Sequence, residues 1–146
     1  MRITYQGDYA LKTVLDLAIH YGSGVVTISE LAKRLDIPIK FLERILLDLK
    51  RGGFVESRRG KEGGYLLARQ PCQIRLGEVI RFVDGPIEPI GCIGKDYSGC
   101  SDLYRCVFRG IWNQVAEATS DIIDNITFED LANQLKVSKG AFSYAI

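Results

Sequence analysis

The sequence is notable first for what it holds little of. It has one histidine, so neither a histidine-rich metal site nor a catalytic Cys/His pairing is available away from that residue. It has four cysteines and no C-x-x-C redox motif. No apolar run approaches the roughly 20 residues needed to span a bilayer. Near the N-terminus Asp8, Lys12 and Asp16 interrupt the only mildly apolar stretch, so no secretory segment is read there. A cytoplasmic protein is expected, with reduced thiols better suited to metal or redox chemistry than to disulfides. Low-complexity segments are missing too, which argues against wholesale disorder.

Net charge is also small, +1 over 146 residues, but it hides an asymmetry. Residues 1–82 hold 14 basic and 9 acidic side chains, residues 83–146 hold 5 and 9. The excess concentrates in residues 33–61, with 9 basic against 4 acidic. A local positive field of this kind attracts polyanions, nucleic acid first among them.

Apolar periodicity gives the elements. Ala10, Val14 and Ala18, with Leu11, Leu15 and Ile19, mark a helix over 5–20, ended by Tyr21-Gly22-Ser23-Gly24. His20 falls at its C-terminal end, where a capping role is expected. Val25-Val26 is a short extended piece. Thr27-Ile28-Ser29-Glu30 is a capping box that opens a short helix. Asp36-Ile37-Pro38 closes that helix and starts another, running to about Lys50 with Phe41, Leu42, Ile45, Leu46 and Leu49 as its buried face. Two helices on a three- or four-residue turn form a helix-turn-helix candidate.

Directly after it come two short strands, 54–57 and 65–68, around a tip of Arg58-Arg59-Gly60-Lys61-Glu62-Gly63-Gly64. A basic, glycine-rich hairpin in this place reads as a wing, the alternative being a solvated loop. A helix from Leu76 to Asp84 follows, ended by Gly85-Pro86. Residues 86–106 are irregular. A long helix then starts at Leu103 or Phe108 and runs to Asn125. Ile111, Val115, Ala118 and Ile122 make one stripe on it, and Trp112, Ala116, Thr119 and Ile123 a second. Apolar character over more than one face calls for two partners, which suggests a dimerisation helix; burial within one chain is the alternative. Thr127 caps a short helix containing Leu131 and Leu135, before a frayed tail.

Cys92, Cys100 and Cys106 stand at C-x7-C-x5-C, three thiols within 15 residues of loop. Such spacing lets several sulfurs converge on one centre, as in iron–sulfur ligation. Zinc favours a tighter C-x2–4-C knuckle and four protein ligands. A zinc site, a thiol–disulfide switch and idle thiols remain as alternatives. Cys72, beside Pro71, reads as a packed or idle thiol.

The fold class is therefore mainly α with a small β-hairpin wing: a winged helix-turn-helix (1–85), a cysteine loop (86–107), a dimerisation helix with a short C-terminal helix (108–135) and a tail (136–146). Lys40, Glu43 and Arg44 fall near the start of the second helix of the motif, where side chains reach base edges. Arginine suits guanine, and a carboxylate suits the cytosine amino group. Lys33, Lys50 and Lys61 are placed to meet phosphates, the alternative being water alone, and the alternative for Glu43 is pairing with a neighbouring Lys or Arg on its own helix face.

Taken together, several segments resemble the bacterial iron–sulfur cluster regulators, winged-helix transcription factors. They are Met1-Arg2-Ile3-Thr4 with Tyr9-Ala10-Leu11, Ile28-Ser29-Glu30-Leu31-Ala32, and Phe41-Leu42-Glu43-Arg44-Ile45-Leu46. Arg59-Gly60 with Gly63-Gly64-Tyr65-Leu66-Leu67-Ala68, Ile74-Arg75-Leu76-Gly77-Glu78-Val79-Ile80 and Asp84-Gly85-Pro86 extend the likeness to about residue 135. The resemblance implies a homodimeric regulator of transcription on double-stranded operator DNA, with a cluster near the dimer interface. It implies that the helix from Pro38 enters the major groove, carrying Lys40, Phe41, Glu43 and Arg44. The wing, with Arg58, Arg59, Gly60 and Lys61, would reach the adjacent minor groove. One member of the family has a histidine three residues after its last cysteine. Here that position is Arg109, which stays protonated and cannot ligate. Another uses an acidic residue from the second subunit, and Asp8 stands at the matching place; its other reading is a first-turn carboxylate favoured by the helix dipole. On ligand type a [4Fe–4S] cluster is favoured over [2Fe–2S]. Two rivals are a cluster-free regulator working through thiol redox or a protein partner, and an iron–sulfur electron carrier.

Overall fold

A computed structural model describes the backbone of residues 1–144 and the side chains of residues 1–140. Six helices and one hairpin follow in the order α1 (Tyr5–Ile19), α2 (Ile28–Leu35), α3 (Ile39–Arg51), β1 (Val55–Arg58), β2 (Gly64–Leu67), α4 (Leu76–Asp84), α5 (Val107–Asp124) and α6 (Phe128–Tyr144). Short 3₁₀ turns lie at Pro71–Gln73 and Gly91–Ile93.

The apolar stripes anticipated from periodicity meet in one core. Val14 of α1, Leu31 of α2, and Leu42, Leu46 and Leu49 of α3 are fully buried. So are Ile74, Val79 of α4 and Phe128 of α6. Each such side chain contributes about 1.5–3 kcal/mol by leaving water. α1 is the central element, packed by α3, α4 and α6. A satellite cluster of Ile80, Ile87 and Ile123 seats the end of α5 on α4.

Helix ends are set by local chemistry. Thr27 Oγ1 accepts from the Glu30 amide at 3.2 Å, and Glu30 Oε2 accepts from the Thr27 amide at 2.8 Å, completing the expected capping box. Thr127 and Asp130 build a second one at the start of α6. His20 is the C-cap of α1, its Nδ1 2.8 Å from the Asp16 carbonyl oxygen.

Two expectations change. The frayed tail from residue 136 is instead a continuation of α6 as far as Tyr144. Of its described side chains only Phe128 and Ala132, in the first turns, are buried, and residues 133–139 are exposed, so that stretch of the helix rests on backbone hydrogen bonding rather than core contact. Phe41 was expected on the buried face of α3, but it is 61% exposed. Its neighbour Leu42 takes the core position, and the helical advance of 100° per residue turns Phe41 outward with Lys40 and Arg44.

Candidate functional site

The helix-turn-helix is held by geometry outside its own turn. Asp36 ends α2 in the left-handed conformation, φ 53°, Ile37 is buried, and Pro38 is the N-cap of α3. Arg34 of α2 reaches the nearly buried Asp16 of α1 with both arms, Nε to Oδ1 at 3.0 Å and Nη2 to Oδ2 at 2.7 Å. This forked pair sets the direction of α2 against the core. It leaves Lys33, Pro38, Lys40, Phe41, Glu43 and Arg44 exposed. Gln6 of α1 donates to Asp48 at 3.2 Å and steadies α3 from the other side. Phe41, Pro38 and Arg44 share a cleft with Tyr5 and Tyr9 of α1.

In the wing, β1 and β2 pair antiparallel from Val55↔Leu67 to Arg58↔Gly64. Val26 and Tyr65 exchange two 2.8 Å backbone bonds, so the short extended piece at 25–26 joins the hairpin to the body. Glycine is required at the tip. Gly60 has φ +113°, and a Cβ at Gly64 would stand 2.6 Å from the Val26 carbonyl oxygen. Lys50, expected to meet phosphate, donates to Ser57 Oγ at 2.7 Å and ties α3 to β1. Arg58, Arg59, Gly60 and Lys61 are exposed at the tip. Among the described residues, none of Lys40, Arg44, Arg58, Arg59 and Lys61 lies within ion-pair distance of a carboxylate. Their field is therefore directed at solvent, as a surface for a polyanion needs.

Two of the cysteines, Cys92 and Cys106, lie at the N-terminal end of α5. Cys106 is the N-cap of α5 and makes no side-chain capping bond. Cys92 sits in the Gly91–Ile93 turn packed on α5, and Arg109 Nε donates to its carbonyl oxygen at 3.2 Å. Cys100 is exposed in the stretch between them. All are free thiols, as is Cys72, which is exposed rather than packed. Asp8, the candidate fourth ligand, is paired with Lys12 at 2.6 Å on its own helix. Among the described residues of one chain, no three His, Cys, Asp or Glu side chains converge in a metal-holding group. The donor set nonetheless suits iron–sulfur ligation: three uncommitted thiols, one at a helix N-terminus whose open amides favour negative charge.

Residues that sequence reading passed over join α5 to the head. Arg81 of α4 grips Asp124 at the end of α5, Nη1 to Oδ1 at 2.6 Å and Nη2 to Oδ2 at 2.9 Å, and also donates to Ser120 Oγ at 3.2 Å. Arg75 donates to the Asp124 carbonyl oxygen at 2.6 Å. The hydrogen bond from Arg81 holds the Asp124 carboxyl below its ordinary range and raises the guanidinium further. Gly77 makes room for this, since a Cβ there would lie 2.0 Å from Asp124 Oδ1. No local pattern announces a pair 43 residues apart. Beyond the clasp α5 stands clear of the core: Val107, Phe108, Ile111, Val115 and Ile122 are exposed, and only Ile123 is buried. No helix among the described residues is long and apolar enough to cross a membrane.

Residues 3–134 match the model of the Rrf2 family, described as "Iron-dependent Transcriptional regulator". The chain is 36% identical over 137 residues to the HTH-type transcriptional regulator IscR of Erwinia tasmaniensis, covering 94% of this chain and 82% of that protein. Its structure is similar to that of CymR (YrzC), the global cysteine regulator of B. subtilis. There the TM-score is 0.78 at 30% identity, covering 92% of this chain and 98% of the other. It is also similar to T. potens IscR, with a TM-score of 0.72 at 30% identity over 92% and 88%. The exposed winged helix-turn-helix and these likenesses agree, and the chain belongs to the Rrf2 family of DNA-binding transcriptional regulators.

Proposed function

We propose that the protein is a homodimeric regulator whose hold on operator DNA is governed by an iron–sulfur cluster, [4Fe–4S] by ligand type. Cys92, Cys100 and Cys106 would hold the cluster, and Asp8 of a second copy would complete it. α3 would enter the major groove with Lys40, Phe41, Glu43 and Arg44, and Lys33 would meet the backbone. The wing, with Arg58, Arg59, Gly60 and Lys61, would lie in the neighbouring minor groove. The observation that carries this reading is the position of α5. Its N-terminus bears Cys106 and the Cys92 turn, its C-terminus is clasped to the head by Arg81–Asp124, and its middle offers an unpartnered apolar stripe. The similarity to IscR supports the same assignment.

When bound, such a cluster supplies a redox-active centre reactive towards oxygen or nitric oxide. The residues of the chain do the rest. Ordering the 92–106 loop fixes the N-terminal end of α5. Releasing it lets α5 swing about its clasped end, and two heads joined through paired α5 helices change separation. Because two half-sites must be spaced by a helical turn of DNA, affinity changes with that separation.

The test is anaerobic purification followed by visible absorption, iron and sulfide assays, and binding to an operator selected from a random DNA pool. A brown protein carrying matched iron and sulfide, with operator affinity that shifts on cluster removal, is expected. Cys100→Ala should lose the cluster and keep the fold. A second reading, regulation without a cluster, draws on the similarity to the cysteine regulator CymR. Protein that stays colourless after reconstitution yet binds the operator tightly would establish that reading and refute the first.

A further inference from the structure

The segment from Ile90 to Cys106 is almost unattached. Among the described residues, its backbone hydrogen bonds all span four residues or fewer: Ile93 to Ile90, Gly94 to Gly91, Tyr97 to Gly94, and Arg105 and Cys106 to Asp102. Among the described residues, and apart from the backbone bonds of α5 that begin at its N-cap Cys106, one hydrogen bond leaves the segment, from Arg109 Nε to the Cys92 carbonyl oxygen at 3.2 Å, spanning 17 residues. Arg109 is half-buried in the first turn of α5, three residues after Cys106 and so on the same side of the helix. No carboxylate lies within ion-pair distance of it among the described residues.

From this we infer that Arg109 is a positioning residue for the thiol site, tethering the Cys92 turn to the start of α5 so that Cys92 and Cys106 are held at one place before any metal arrives. The inference rests on the reading of Cys92, Cys100 and Cys106 as metal-binding thiols. Cys100, in the untethered middle of the loop, is then the thiol that closes on the incoming metal. Preorganising two donors removes part of the ordering cost that the loop would otherwise meet on binding. Arginine suits the task because its planar fork aims the Nε–H at a carbonyl while the stem packs; a lysine ammonium is a point charge without that direction.

The experiment uses the full chain, metal-free, reduced and oxygen-free, with cobalt(II) alone as probe. Wild type, Arg109→Ala and Arg109→Lys are compared in two ways. One is amide hydrogen exchange at Ile93 and Gly94. The other is cobalt titration followed by thiolate-to-cobalt absorption. Loss of the tether should speed exchange at both amides and weaken cobalt binding about tenfold, the effect of one net hydrogen bond. Lysine should behave like alanine. Arg109→Ala matching wild type in both readouts would overturn the proposal, and so would Lys restoring both, since charge alone would then suffice. Wild-type protein that takes up no thiolate-bound cobalt would remove the metal reading itself and the proposal with it.

Discussion

The carboxylate of Asp84 closes over Gly7. It accepts from the Thr4 amide at 3.0 Å and from the Thr4 hydroxyl, and a Cβ on Gly7 would stand 2.2 Å from its Oδ2. The last residue of α4 thereby completes the N-terminus of α1, with Thr4 Oγ1 accepting from the Gly7 amide at 3.0 Å. Gly7→Ala should displace Asp84 and lower stability by about 1–3 kcal/mol, the usual cost of overpacking. Urea denaturation checks it. Combined with Asp84→Ala, the loss should be less than the sum of the two single changes, because both act on one contact.

Acid should loosen the base of α5. The folded-state pKa of Asp124 lies below its ordinary value because Arg81 hydrogen-bonds the ionised form. Its contribution is complete above the unfolded value of about 4 and is lost as pH falls through the lower folded value. Glu30 and Asp130, depressed by their capping bonds, act with the same sign. Urea midpoints followed from pH 7 down to about pH 3 should fall below about pH 4. The fall should be shallower in Asp124→Asn, and equal slopes would show that the clasp adds nothing to stability.

On DNA, the exposed side chains of α3 and of the wing should separate by role. Arg44→Ala should cost about 1–3 kcal/mol on the selected operator and little on random duplex, as loss of a base contact does. Lys61→Ala should weaken both alike and lower the salt slope by about one, as loss of a phosphate contact does. Phe41→Ala should leave the melting temperature unchanged, because the ring is exposed, yet weaken operator binding. Fluorescence anisotropy over a range of salt reads all three.

Charge placed on the free stripe of α5 should abolish self-association. Ile111→Asp with Val115→Asp alters positions that are exposed in the single chain, so each protomer should keep its helix content. Sedimentation equilibrium should report a dimer for wild type and a monomer for the doubly charged variant. A dimer that survives both charges would move the interface elsewhere.

Much of this was legible from residue order alone, and the failures are instructive. The Thr27–Glu30 box, the Gly-rich wing tip and the start of α3 just after Pro38 all follow from interactions reaching no further than a few residues. Phe41 was misplaced because six apolar residues in the nine from 41 to 49 over-fill the helix face, and only the packed core shows that Phe41 and Leu47 are the two left outside. The tail was read as frayed because no apolar stripe marks it, yet α6 continues to Tyr144 without one.

The sequence by itself determined the type and order of the elements, the basic head, and the three thiols gathered in one loop. Capping, helical periodicity and glycine turns act locally and are written in neighbouring residues. Tertiary structure alone decided that Asp84 seals α1 above Gly7, that Arg81 grips Asp124 from 43 residues away, and that Arg109 holds the Cys92 turn. Each of these contacts joins side chains whose distance depends on how the helices pack, and the free energy of a charged hydrogen bond is realised only once packing has brought donor and acceptor within about 3 Å.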